Sequence, residues 1–180
     1  MTHNFRHILY TLASAIAICS LYSCETINDP LPSYSETSIV GVGDEAPSFS
    51  TISTDGEILT IGPGNNTYTL LILFSHTCPD CQGLLDELHK ELNTTVLPPQ
   101  IIAISRGGTE QEISQYKAEH HYTIPMAADS SKEIYLKYAT MYVPRCYIID
   151  NENIIRCTSY EYQKGDIAKI SEAYSNIISD

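Results

Sequence analysis

The sequence has no tryptophan, only three phenylalanines and few basic residues. Ten Lys and Arg stand against 22 Asp and Glu, which gives a formal net charge of -12. A nucleic-acid-binding protein of this size would need a basic patch, so nucleic acid is excluded as the expected partner. Six cysteines in 180 residues are too few for a disulfide scaffold, so their spacing is the informative feature. The 43% hydrophobic and 18% charged residues suit a single folded domain.

Residues 1–23 have the pattern of an export signal, with an acid-free start followed by an uncharged apolar stretch. The stretch ends in Leu21-Tyr22-Ser23-Cys24, which resembles the lipobox of bacterial lipoproteins. That resemblance implies cleavage before Cys24, lipidation of Cys24 and a periplasm-facing place in the cell envelope, on the inner or the outer membrane. An uncleaved anchor is the alternative, although the run is shorter than the ~20 residues of a typical span. Residues 24–40 are rich in Pro, Ser, Thr and acids, which predicts a flexible tether.

The remaining segment, 41–180, alternates strand and helix patterns. Uninterrupted apolar runs predict two strands buried on both faces, at 69–75 and 101–104. Apolar residues at helical spacing and a capping-box pattern predict helices, after Cys78, from Thr109 to about His120, over 131–138 and over 166–178. Apolar segments on either side of Asn151-Glu152-Asn153 predict a hairpin. This order predicts an α/β domain with a central mixed sheet and helices on both faces.

Cys78-Pro79-Asp80-Cys81 lies between the first buried strand and the helix that follows it. The first turn of a helix brings two cysteines at this spacing within reach of each other, and its free N–H groups stabilise a thiolate. Cys78 is therefore the predicted nucleophile and Cys81 the resolving thiol, with no metal or organic cofactor beyond their disulfide. No second half-site of familiar zinc spacing accompanies the pair. A copper-binding chaperone is the alternative that uses the same two thiols.

Three segments resemble the redoxin, or AhpC/TSA, branch of the thioredoxin superfamily: Gly43–Phe49, Phe74–Cys81, and Val143-Pro144 with the strand after it. The likeness covers about 41–178 and is greatest to the membrane-tethered TlpA/ResA-like thiol-disulfide oxidoreductases. It implies a three-layer thioredoxin-like fold, a cis peptide at Pro144 and a Val143 backbone that pairs with a bound substrate strand. It also implies protein thiols and disulfides as substrates and a membrane electron donor. We expect the protein to be a monomer.

The chain departs from this family pattern beside the cysteines. Thr77 occupies the substrate-facing position where many relatives have Trp, so an aromatic lid is missing there. Ile72 stands in place of thioredoxin's buried acid. A base that assists Cys81 must therefore come from elsewhere, and Glu57 and Glu45 are the candidates.

Peroxiredoxins share the Gly-Asp-x-Ala-Pro opening, which makes a thiol peroxidase the second enzymatic alternative. Their site would require Pro at position 71 and Thr or Ser at position 75, whereas this chain has Leu71 and Ser75. Only half of the peroxiredoxin pattern is therefore present.

Pro79 and Asp80 are expected to tune the redox pair. An ionised Asp80 repels a thiolate at Cys78, which favours the disulfide and lowers the reduction potential. We therefore expect a reductant or isomerase, with a potential nearer thioredoxin (about -270 mV) than DsbA (about -120 mV). His76 is interpreted as a polar residue at the strand end, or as a counter-charge to Cys78.

One further pair of cysteines and one pair of histidines can each be interpreted in two ways. A two-residue turn would place Cys146 opposite Cys157 and permit a bridge, whereas a three-residue loop would place them on opposite faces as separate thiols. A left-handed Asn153 favours the three-residue loop. His120-His121 is expected to end a helix, and copper binding is the alternative use of these side chains.

Overall fold

A computed structural model describes residues 31–179, and the predicted signal segment and Cys24 lie outside this part of the chain. Its strands are β1 Phe49–Ile52, β2 Ile58–Ile61, β3 Thr69–Phe74, β4 Gln100–Arg106, β5 Met126–Asp129, β6 Arg145–Ile149 and β7 Ile155–Tyr160. Its helices are α1 Pro79–Glu91, α2 Glu110–Glu119, α3 Tyr135–Tyr138 and α4 Asp166–Ile177. No helix in the described part is long and apolar enough to cross a membrane.

Five strands form the central sheet, in the order β5-β4-β3-β6-β7. β3 is parallel to β4 and antiparallel to β6, and every residue of β3 is buried. An uninterrupted apolar run suits this position because a central strand is covered on both faces. The predicted mixed sheet is thereby confirmed, and β1 and β2 form a separate antiparallel hairpin.

The side chains of β3 alternate between two hydrophobic clusters, one on each face of the sheet. Leu70, Ile72 and Phe74 pack in the cluster that contains the buried residues of α1, α2 and α4. Leu71 and Leu73 pack in the other cluster, with α3 and the β1–β2 hairpin. Helices therefore cover both faces as predicted, but the second face has only the single turn of α3, which is shorter than the predicted helix over 131–138.

The capping box predicted at Thr109 is present at the start of α2. The Thr109 hydroxyl accepts a hydrogen bond from the backbone N–H of Glu112, and the Glu112 carboxylate accepts one from the backbone N–H of Thr109. Two N–H groups that lack a partner within the helix are thus satisfied, which fixes where α2 begins.

The prediction that the tether extends to residue 40 and the domain begins at 41 is wrong. Residues 33–40, called the strap below, belong to a compact unit that spans Pro32–Asp180. The strap's backbone bonds to the segment after α3, with Ile39 N–H donating to the Tyr138 carbonyl and Thr140 N–H to the Thr37 carbonyl. Its polar composition misled the prediction because these residues bond to the protein rather than to water.

Candidate active site

Cys78 lies immediately before α1, where the chain leaves the carboxyl end of β3. It is the N-cap residue, and its Sγ accepts a hydrogen bond from the Cys81 backbone N–H at 3.4 Å. Pro79 occupies the first turn of the helix, where a missing N–H costs nothing. The half-buried Cys78 sulfur thus faces the positive end of the helix dipole, which favours its thiolate.

Cys81 is fully buried, and its Sγ accepts a hydrogen bond from the Ser75 backbone N–H at 3.4 Å. Burial raises the pKa of the Cys81 thiol, and the hydrogen bond with Cys78 raises it further. The pair is therefore asymmetric, with an accessible sulfur at Cys78 and a protected one at Cys81. Both are free thiols in this structure.

The loop before β6 completes the site. The Val143–Pro144 peptide bond is cis, as the sequence predicts, and Pro144 is buried. The Cys78 Sγ lies 3.8 Å from the Val143 carbonyl oxygen. Thr77 and Asp80 are exposed next to Cys78 in sequence, and the Thr77 hydroxyl lies 3.0 Å from that of Ser75.

The suggestion that Glu45 or Glu57 is a base for Cys81 is wrong, because both residues lie near the other end of β3. Glu45 bridges to Ile154, beyond the end of β6 that pairs with the start of β3. Glu57 lines a surface pocket with Thr67 and Gln100, also near the starts of β3 and β4. Cys81 follows the opposite end of β3, away from both carboxylates.

Cys146 and Cys157 are free thiols on the same face of the sheet. The predicted three-residue loop is present, with Asn153 left-handed at φ 67°. A register shift at Ile148/Ile149 then pairs Cys157 with Ile148, so the prediction of opposite faces is wrong. The two cysteines are diagonal rather than directly opposed, and that spacing exceeds what a disulfide spans without backbone movement.

The described histidines His76 and His120 pack against aromatic rings. His76 packs edge-on against Tyr116 and close to Gly108. His120 caps the end of α2 as predicted and stacks on Tyr122, with ring centroids 5.2 Å apart. Within residues 31–179, no group of three or more His, Cys, Asp or Glu side chains is arranged to hold a metal ion.

Two residues of the site, Arg145 and Tyr34, were missed by the sequence analysis. Arg145 is fully buried and bonds to five oxygens, those of the Tyr34, Met141 and Tyr142 carbonyls and of the Thr37 and Ser38 hydroxyls. It thereby ties the strap to the loop that contains the cis peptide. The available signal was a lone cation, directly after Pro144, in an otherwise apolar strand.

Solved structures from several bacteria share this fold. A protein from Bacteroides thetaiotaomicron, described provisionally as a protein disulfide isomerase, matches with a TM-score of 0.69 and 20% identity over 80% of this chain and 94% of that chain. StoA from Bacillus subtilis matches with a TM-score of 0.59 and 17% identity, over 72% of this chain and 97% of that chain. A peroxiredoxin-like protein from Aquifex aeolicus matches with a TM-score of 0.62 and 14% identity, over 74% of this chain and 88% of that chain. No curated protein sequence matches this chain.

The sheet order and the cysteine pair at a helix start are those of a thioredoxin-like oxidoreductase. The chain belongs to the AhpC/TSA family, whose model matches residues 42–158. The resemblance stated from the sequence, to the redoxin branch and its TlpA/ResA-like members, is confirmed at the level of family and fold.

Proposed function

We propose that this chain is an extracytoplasmic thiol-disulfide oxidoreductase that reduces or isomerises disulfides of other proteins through Cys78 and Cys81. The asymmetry of the pair supports this most directly. Cys78 is half-buried and capped by a helix N–H, whereas Cys81 is fully buried. An accessible nucleophile beside a protected resolving thiol is what a two-step exchange requires.

In the first step, the Cys78 thiolate attacks one sulfur of a substrate disulfide. A Cys78–substrate disulfide forms, and the other substrate sulfur leaves as a thiolate. In the second step, Cys81 loses its proton and attacks the Cys78 sulfur, which forms the Cys78–Cys81 disulfide and releases the second substrate thiol. Two electrons and two protons pass from the protein dithiol to the substrate, and an external dithiol donor must restore the pair.

The substrate side of the proposal uses the exposed surface around Cys78. Val143 presents its carbonyl 3.8 Å from Cys78, which suits pairing with the backbone of a bound strand. Thr77, which precedes Cys78, and Pro144, which follows Val143, are assigned to substrate binding with them. Because Thr77 is small, that surface is open to a folded or bulky protein substrate.

The location part of the proposal rests on the lipobox-like segment that ends at Cys24. Lipidation of Cys24 would hold the domain at the periplasmic side of a membrane, as a monomer, within reach of a membrane electron donor. Asp80 lies in the first turn of α1, and its charge disfavours a thiolate at Cys78. We therefore assign Asp80, with Pro79, to tuning the pair towards a reductant.

The first test is the reduction potential of the Cys78–Cys81 pair in the full-length chain, equilibrated in glutathione buffers and measured by the mass shift of alkylated thiols. A reversible two-electron couple at or below about -220 mV supports a reductase, and one above about -180 mV contradicts it. Without a reversible couple the proposed function fails, and stoichiometric Cu(I) binding would then identify a copper-binding chaperone. Rapid peroxide consumption would instead identify a thiol peroxidase.

A Cys81→Ser variant tests the order of the two steps. It should accumulate a mixed disulfide at Cys78 with an oxidised protein substrate, because the resolving thiol is gone. Cys157→Ser is the matched control, since it removes another partly buried thiol outside the pair. Trapping at a cysteine other than Cys78 would contradict the assignment of the nucleophile.

A further inference from the structure

One contact of the active site involves neither cysteine directly. The Tyr34 hydroxyl, from the strap, donates a long hydrogen bond to the Val143 carbonyl at 3.4 Å. The Cys78 Sγ faces the same carbonyl at 3.8 Å. A phenol and a thiol are therefore both directed at one acceptor, beside the predicted nucleophile.

The position of Tyr34 is fixed from several sides. Its ring stacks on Tyr142 and Tyr160, with centroids 4.9 Å and 5.9 Å away. The Arg145 guanidinium lies 5.1 Å from the ring centroid and donates to the Tyr34 carbonyl at 3.2 Å. The ring cannot leave the site without loss of these contacts, so its hydroxyl is held near Val143.

Tyr34 is also held in the state that donates. Burial, together with the nearby charge of Glu161, raises the pKa of Tyr34 to about 12. The phenol therefore keeps its proton throughout the neutral range, in which disulfide exchange takes place.

We infer that Tyr34 is a positioning residue of the redox site, whose phenol occupies the Val143 carbonyl and thereby favours the Cys78 thiolate. This inference rests on the proposed function. A carbonyl that already accepts a hydrogen bond is a weaker acceptor for the Cys78 S–H. Its negative end also repels the thiolate less when a donor is bound to it. Both effects act in the same direction, towards the reactive form of Cys78.

Other charged or titratable groups lie near Tyr34 and Cys78, and the Tyr34→Phe variant leaves them unchanged. They include Asp80 and Cys81 of α1, Tyr116 of α2, Arg145 and Cys146 of β6, and Glu161 after β7. A difference produced by removal of the Tyr34 hydroxyl alone is therefore assigned to that hydroxyl.

The experiment compares the full-length wild-type chain with Tyr34→Phe. Iodoacetamide alkylation of Cys78 is followed at pH 7 by peptide mass, which separates it from the other cysteines. The thiol–disulfide equilibrium with glutathione is measured on the same proteins. Tyr160→Phe is the matched control, because it removes a hydroxyl from the other side of the same aromatic stack.

Tyr34→Phe should slow Cys78 alkylation by about two- to fivefold and shift the glutathione equilibrium towards the disulfide by a similar factor. The Tyr160→Phe control should match wild type in both. If Tyr34→Phe has the alkylation rate and glutathione equilibrium of wild type, and wild type has a reversible couple, the inference is overturned and the proposed function stands. A wild-type chain with no reversible couple overturns the proposed function instead.

Thermal unfolding of each variant shows whether Tyr34→Phe disturbs the strap more than the control does. In that case Ser38→Ala is measured in the same way, because it removes one Arg145 acceptor and one donor to the Tyr34 carbonyl but leaves the Tyr34 hydroxyl in place. The decrease in the Cys78 alkylation rate should then be smaller for Ser38→Ala than for Tyr34→Phe, and a decrease of equal size overturns the inference.

Discussion

Replacement of Arg145 by Met tests whether one buried cation fixes the strap. Arg145 is fully buried, bonds to five neutral oxygens and makes no ion pair with any described carboxylate. Met has a similar volume but offers no donor, so Arg145→Met removes the hydrogen bonds with little change in packing. The strap should then separate from the loop before β6.

The expected cost follows from the oxygens that lose a donor. Five acceptors at about 1 kcal/mol each give about 5 kcal/mol. The Tyr34 and Tyr142 carbonyls retain other donors, the Ser38 and Tyr135 hydroxyls, which lowers that total. Two effects stabilise the variant: a charge no longer has to be buried away from water, and the apolar Met side chain is buried instead. Together they reduce the expected loss by about 1–2 kcal/mol more. We therefore expect Arg145→Met to lower the free energy of unfolding by about 3 kcal/mol, or Tm by about 6–12 °C.

Urea unfolding followed by far-UV circular dichroism measures this change, since the chain has no tryptophan for fluorescence. Arg106→Met is the matched control. Arg106 also lies over a tyrosine ring, 4.8 Å from the Tyr135 centroid, but it is only half-buried. The control should lose no more than about 1 kcal/mol. A loss below about 1 kcal/mol for Arg145→Met would refute the view that buried hydrogen bonds hold the strap.

Three smaller perturbations test other parts of the chain. Thr109→Ala should lower Tm by about 2–4 °C, because it removes the capping box of α2, and an unchanged melting curve would contradict this. Burial raises the pKa of Asp150, but hydrogen bonds from Ile154, Arg156 and Glu152 outweigh burial and hold it below its usual value. Asp150→Asn should therefore lower Tm at pH 7, and the difference should shrink as the pH falls through the lowered pKa of Asp150 and its carboxylate is protonated in the folded state; a pH-independent difference would argue against the ion pair. Asp80→His should raise the reduction potential in a glutathione titration, because it replaces a negative charge near the Cys78 thiolate, and a fall would refute the assigned tuning.

Elements with a strong local pattern were predictable from the sequence. β3 is a continuous apolar run, α2 begins at a capping box, and the turn between β6 and β7 uses a left-handed Asn153. In each case the residues that specify the structure lie within a few positions of one another. The geometry of Cys78 and Cys81 was predictable for the same reason, since it depends only on their spacing of three positions and on the start of α1.

Elements that depend on distant partners were not predictable. β1 and β2 expose Ile52 and Ile58 at 65% and 75%, so their apolar residues do not all mark a buried face. β5 consists of Met126-Ala127-Ala128-Asp129, with no β-branched or aromatic residue to indicate a strand. The register shift between β6 and β7 has no signature in the loop itself, and it reversed the predicted relation of Cys146 to Cys157.

The same distinction applies within the site. The cis peptide before Pro144 was anticipated from the Val-Pro pair by family resemblance. Tyr34 contacts Val143 across 109 positions of sequence, and Arg145 contacts the Tyr34 carbonyl across 111. No local pattern encodes such contacts, because they exist only after the sheet and the strap have come together.

The separation between the strap and Arg145 also has a consequence for the order in which the protein folds. The strap leaves the ribosome before its partners at Tyr138, Thr140 and Arg145, which follow about a hundred residues later. Closing so long a loop costs entropy that only a formed sheet can offset. We therefore expect the strap to dock after β3, β4 and β6 have paired, so that a segment synthesised before these strands completes the active site after them.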